Sequence, residues 1–215
     1  REAAAALCNV ACHSDTKGRA VTCGAVRGLV RQLGRPGLSA EAAEDFLACM
    51  GVLTGNHEPG VAALFEVAAA EGRESTLGPL VGLLAGGASP PLQCLALDVV
   101  GGLVAASPQF GAWAARETAL AKRHLPELLR SEDSEVRTAA LRFGATALEA
   151  EGFTEAFQKG GGVGALQSVL ERDPPPGEVL EAGGPTQLMA PHLGGRRAPT
   201  QRDLARFLIS KILII

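Results

Sequence analysis

REAAAALCNVACHSDTKGRAVTCGAVRGLVRQL, residues 1–33, is the stretch whose reading decides the fold. It reads as an amphipathic helix ending near Ala11, a short polar turn leading into a second helix to Cys23, and a third helix opening at Gly24. In that third helix Val26, Leu29, Val30 and Leu33 fall at i, i+3, i+4 and i+7, which puts all four on one face. One such face cannot bury itself. Stacking like units buries it, so the stretch predicts an all-α chain built as a helical solenoid.

The pattern returns three more times in degraded form. The middle-helix anchor reads LVRQL at 29–33, LVGLL at 80–84, LPELL at 125–129 and LQSVL at 166–170. A second anchor, a small residue late in the long helix, is Asn9, Gly51, Gly101 and Gly144. The distance from a middle-helix anchor to the next small residue is nearly constant, so length variation falls in the connections, with an insertion expected around 57–74. Each long helix has a start signal: Ser39, Ser89 before Pro90 and Pro91, and either Asp133 or Ser134.

A last repeat opens in the same way at Asp173, but Gly183, Gly184 and Pro185 stop it, so the array is expected to span 1–182. Residues 183–200 read as a Gly/Pro/Arg-rich linker. In 201–215, Leu204, Phe207, Leu208 and Ile212 share a face. That tail reads either as a helix capping the exposed end of the array or as a translation artefact. The chain opens without Met and in mid-helix, which points to a fragment whose earlier repeats are missing.

Composition narrows the class. With 47% hydrophobic residues in 215 the chain can bury a continuous core, and wholesale disorder is excluded. Only 4% aromatics and no Tyr suit closely packed helices better than a β-sandwich. A net charge of -3 gives no global attraction for nucleic acid or an acidic membrane. Cys8, Cys12, Cys23, Cys49 and Cys94 sit in apolar helical runs and read as small buried hydrophobes of a reducing compartment. The apolar run 207–215 is too short to span a bilayer and is interrupted by Lys211, and no signal peptide is read. The expected placement is the cytoplasm, with the nucleus left open.

AAAALCNVA at 3–11, VTCGAVRGLVRQL at 21–33 and LPELLRSEDSEVRTAAL at 125–141 resemble armadillo repeats, with HEAT repeats the near relation. The resemblance covers about residues 1–182. It implies a right-handed superhelix of about four partial or full three-helix repeats, whose third helices line a concave groove for extended peptides or partner domains. Peptide-binding members clamp ligand backbones with a ladder of Asn on the third helices. Asn9 matches that Asn, but Gly51, Gly101 and Gly144 take the equivalent places. Ala5, Leu47, Leu97 and Ala140 stand where import adaptors carry Trp, so the pattern departs from that of nuclear-localisation-signal binders. Glycine at these places either admits a partner's backbone or lets helices pack tightly.

Two turns before each small residue the same face carries Glu2, Glu44, Cys94 and Arg137; with Asn9, Asp98 and Arg142 these are the candidate partner contacts. Arg27, Arg31 and Arg35 form a basic stripe at i, i+4 and i+8, either a site for an acidic peptide or phosphate or an ordinary solvated face. Cys8 and Cys12 at i, i+4 can share a metal, but no second ligand pair follows at zinc spacing, and a structural pair is the favoured reading. The glycines at 160, 161, 162 and 164 precede a helix without completing a phosphate-loop motif, so they read as a repeat turn. Trp113 and Phe110 read as core, the alternative for Trp113 being an exposed hot spot.

The four histidines, at 13, 57, 124 and 192, lie beside no nucleophile motif, and no enzyme activity, metal or cofactor is expected. The function expected is that of a non-catalytic scaffold or adaptor for a protein or extended peptide, with neither nucleic acid nor membrane as partner. Two alternatives stand beside it. One is a co-chaperone or assembly factor of the Hsp70-exchange or proteasome-assembly kind gripping a folded domain. The other is a regulatory repeat segment of a larger enzyme.

Overall fold

The computed structural model describes residues 2–85, 87–117, 119–172 and 199–213, and among these every regular element is helical. The opening stretch forms α1 (Glu2–Ala11), α2 (Ser14–Thr22) and α3 (Ala25–Leu33). Gly24 makes the turn between α2 and α3 at φ 84°, a left-handed conformation that glycine adopts without steric cost. As the spacing predicts, α3 buries Val26, Leu29, Val30 and Leu33.

Start signals act through their side chains. Ser39 opens α4 (Ala40–Thr54), its Oγ accepting from the Ala42 amide at 3.3 Å. Ser89 opens α7 (Pro90–Ala106), but its hydroxyl donates to Glu44 across the helix boundary instead of capping. At α10 (Ser134–Ala147) the cap is Asp133, whose carboxylate accepts from the amides of Glu135 and Val136 at 2.8 and 3.1 Å. The expected insertion near 57–74 is not a loop. His57 caps α5 (Glu58–Glu71), its Nδ1 accepting from the Gly60 amide at 3.1 Å, and the extra residues lengthen that helix before α6 (Arg73–Gly82).

After α8 (Pro108–Arg116) the chain enters a π turn, Leu120–His124, that runs into α9 (Leu125–Leu129). Pro126 explains it. Proline has no N–H to give the carbonyl four residues back and its ring collides with that carbonyl, so the turn ahead of it widens. The chain continues through α11 (Phe153–Lys159) and α12 (Gly162–Arg172) to α13 (Gln201–Leu213).

The long helices pack in sequence: α1 against α4, α4 against α7, α7 against α10, and α10 against α13. Three of these seams use the small residues singled out above. A methyl group added at Gly51 would stand 3.6 Å from Val99, at Gly101 3.5 Å from Phe143, and at Gly144 3.4 Å from Leu208. Each is ordinary van der Waals contact with the next long helix, so these small residues lie in the seams, where an alanine methyl would also fit. Shorter helices complete the layers, with α3 packed on α5 and α6, and α9 on α10 and α12. Phe65 of α5 stacks on Phe110 of α8 with centroids 3.9 Å apart. Phe110 is fully buried, and Trp113 is buried in the same core.

Residues 201–213 are built into the molecule. On α13, Gln201, Ala205, Leu208 and Ile212 are buried against α10 and α12. The Gln201 amide nitrogen donates to the Ser134 carbonyl at 2.7 Å and to Thr138 Oγ1 at 2.8 Å. Gln158 of α11 donates to the Ile212 carbonyl. The array boundary expected at 182 and the linker expected at 183–200 fall, up to residue 198, outside the described residues.

Candidate functional site

The outward face of the long helices carries the predicted contact residues, and a polar bridge crosses three successive seams. Between α4 and α7, Ser89 Oγ donates to Glu44 Oε1 at 3.3 Å. Between α7 and α10, Arg142 Nη2 meets Asp98 Oδ1 at 3.5 Å. Between α10 and α13, Arg137 Nε donates to Gln201 Oε1 at 3.3 Å. These residues therefore tie one layer to the next; Arg142 is exposed, whereas Gln201 is buried.

Cys94, Asp98 and Arg142 come together at the α7–α10 seam. Burial raises the Asp98 pKa, opposed by the Arg142 guanidinium. The Cys94 thiol is pushed up to about 11, first by burial and then by the carboxylates of Asp133, Asp98 and Glu135. It stays a thiol at neutral pH. Glu2 and Asn9 are exposed on α1, away from that cluster. Arg137 is turned into the corner between α9 and α10, where its Nη1 donates to the carbonyls of Ser131 and Glu132 at 2.9 Å each. Its guanidinium holds that corner in shape.

The basic stripe divides. Arg31 pairs with Glu71 of α5 at 2.7 Å and Arg27 lies 3.8 Å from the same oxygen, whereas Arg35 lines a cavity beside the α3–α4 corner. The cysteines divide too. Cys49 is buried, its pKa pushed up to about 12 chiefly by that burial, and Cys8 and Cys94 are half-buried. Cys12 and Cys23 are exposed, because each lies at a helix end where the chain turns at the surface; the expectation that all five are buried does not hold for these two. Among the described residues no group of three His, Cys, Asp or Glu is placed to hold a metal ion. In the glycine run, a methyl group at Gly160 would collide with the Lys122 backbone and one at Gly162 with the Phe157 ring. The π turn packed against the end of α11 accounts for the first, and close packing of α11 and α12 for the second.

His124 is a residue to which the sequence reading gave no role. It ends the π turn 93% buried, its Nδ1 without a hydrogen-bond partner and 3.9 Å from Glu127 Oε2. The available signal was its place immediately before the apolar LPELL run. Burial lowers its pKa, with Glu127 raising it and Arg123 lowering it further. The unfolded chain thus binds the proton more readily, so stability is complete above about pH 6.5 and declines as the pH falls through that value. Urea midpoints are expected to drop between about pH 7.5 and pH 5.5, and to drop less in His124→Gln. An equal drop in both chains would remove His124 as the cause.

Among the described residues, no helix is long and apolar enough to cross a membrane. The chain matches no protein-family model, no curated protein and no solved structure.

Proposed function

We propose that this chain is a non-catalytic protein-binding scaffold of armadillo type, cytoplasmic, in which the long helices form the inner layer of a right-handed solenoid. Its partner is a protein or extended peptide held along the outward face of α1, α4, α7, α10 and α13. The observation that carries this reading is the repeated seam. Gly51, Gly101 and Gly144 each meet the next long helix, bridges from Ser89 to Glu44 and from Arg142 to Asp98 cross two of those seams, and Asn9 is exposed on α1; we read these polar side chains as one row. A row of that kind fixes the register of a bound chain through a few side chains while the packed layers behind it hold it rigid.

The test is affinity capture with the chain and with an Asn9→Ala/Arg142→Glu variant, both residues being exposed. The variant is expected to keep its helical circular dichroism and to lose the captured protein. Capture of the same protein in equal amount by the folded variant would reject the face. Arg137 is unsuited to this test because its hydrogen bonds are internal.

A further inference from the structure

Three thiols gather where α1 packs on α4. Cys8 is half-buried on α1, Cys12 is exposed one turn later, and Cys49 of α4 is buried and interacts electrostatically with both. The Cys12 amide donates to the Cys8 carbonyl at 3.0 Å, so the two residues stand one helical turn apart on the same side. Their side chains share a thiol–thiol hydrogen bond. Burial, then the neighbouring Cys12 and Asp45, hold the proton on Cys8. Cys12 is the outward sulfur of the pair, in the turn between α1 and α2.

Lys17 of α2 completes the arrangement. Its ammonium interacts with Cys12, and its Nζ is held by donation to the Gly55 carbonyl at 2.8 Å. A fixed cation at that place steadies negative charge that develops on an oxygen leaving from the Cys12 sulfur's attack. Cys23, exposed at the end of α2, is the comparison thiol within the same chain.

We infer that Cys12 and Cys8 are a hydroperoxide-reactive dithiol that closes reversibly to a disulfide across the last turn of α1. Cys12 attacks one oxygen of hydrogen peroxide as its thiolate. The O–O bond breaks, an S–O bond forms, and the hydroxide released takes up the proton Cys12 lost and leaves as water. The Cys8 sulfur then displaces hydroxide from the Cys12 sulfenic acid, and its own proton leaves with that hydroxide as a second water. Two thiols become one disulfide and one peroxide becomes two waters, so the electrons balance. The span permits the bond: four residues of α-helix separate Cα atoms by about 6 Å, within the roughly 4.4–6.8 Å that a disulfide bridges. A dithiol reductant reopens it by exchange.

The experiment treats the reduced full chain with one equivalent of hydrogen peroxide, alkylates the remaining thiols and maps the tryptic peptides. Residues 2–17 form one such peptide, which holds Cys8, Cys12 and no other cysteine. It is expected unalkylated and two hydrogens lighter, and dithiothreitol is expected to restore it. Its thiols are expected to disappear about tenfold faster than that of Cys23. In Cys8→Ser, with its helical circular dichroism unchanged, Cys12 is expected to stop at the sulfenic acid, which dimedone captures. A Cys12 that oxidises no faster than Cys23 overturns the proposal, as does a bond from either residue to Cys49 in place of the pair. A Cys8→Ser chain that yields no more dimedone adduct than the parent overturns it too.

Discussion

Leu208→Asp is expected to destabilise the chain by at least about 4 kcal/mol, the sum of a lost buried leucine and a carboxylate forced into an apolar site. Leu208 is 1% exposed and its Cδ1 sits against Gly144 of α10, so α13 has no room to turn the new side chain outward without leaving the seam. Leu213 lies five residues later on the same helix at 74% exposure, and Leu213→Asp is expected to stay within about 0.5 kcal/mol of the parent. Urea unfolding followed by circular dichroism reads both. If the two variants unfold together at the parent midpoint, α13 is an appendage and its packing on α10 and α12 contributes nothing.

The second large effect belongs to Gly160→Ala. The added methyl would collide with the Lys122 carbonyl oxygen and with its Cα, atoms of a backbone that cannot rotate away. Lys122 stands four residues before Pro126, and the π turn that the proline imposes leaves this carbonyl against the end of α11. Accommodating the methyl means moving one of two packed helices, at a cost of about 3 kcal/mol. Gly164→Ala supplies the contrast. Only Arg130 Nη2, at 3.9 Å, lies near its added methyl, and alanine in a helix is worth up to about 1 kcal/mol over glycine. Thermal melts should therefore shift in opposite directions. A Gly160→Ala chain that melts with the parent would show that the contact between α11 and the π turn is loose.

Much of the helical layout was legible because it is written in local patterns. The i, i+3, i+4, i+7 face of α3 and the caps at Ser39 and Asp133 lie within a few residues of the structures they specify. What escaped depends on residues far apart in the chain. One exception is local: Val61, Leu64 and Ala68 of α5 fall at i, i+3 and i+7 after the His57 cap, so the helix is written within 57–74 itself. The tail was harder still, since LISKILII has the composition of a stray hydrophobic end until Gly144 offers Leu208 a seat.

The candidate site divides on the same line. Counting turns back from the small residues gives Glu44, Cys94 and Arg137, but the bridges from Glu44 to Ser89 and from Asp98 to Arg142 join residues more than forty apart. Arg137 shows the limit of counting. Its spacing from Gly144 predicts an outward position, while the carbonyls of Ser131 and Glu132 beyond α9 draw it inward. The unpartnered Nδ1 of His124 likewise depends on a π turn that has no periodic signature.

The joint formed by a glycine on one long helix and a bulky side chain on the next is used at Gly51 with Val99, Gly101 with Phe143 and Gly144 with Leu208. Under the proposed solenoid, a part reused in this way would make the molecule modular in evolution: gain or loss of one whole layer would leave the remaining joints intact, whereas gain or loss of half a layer would strand an oily surface in water. Descendants of such a gene are free to change in length only by whole steps.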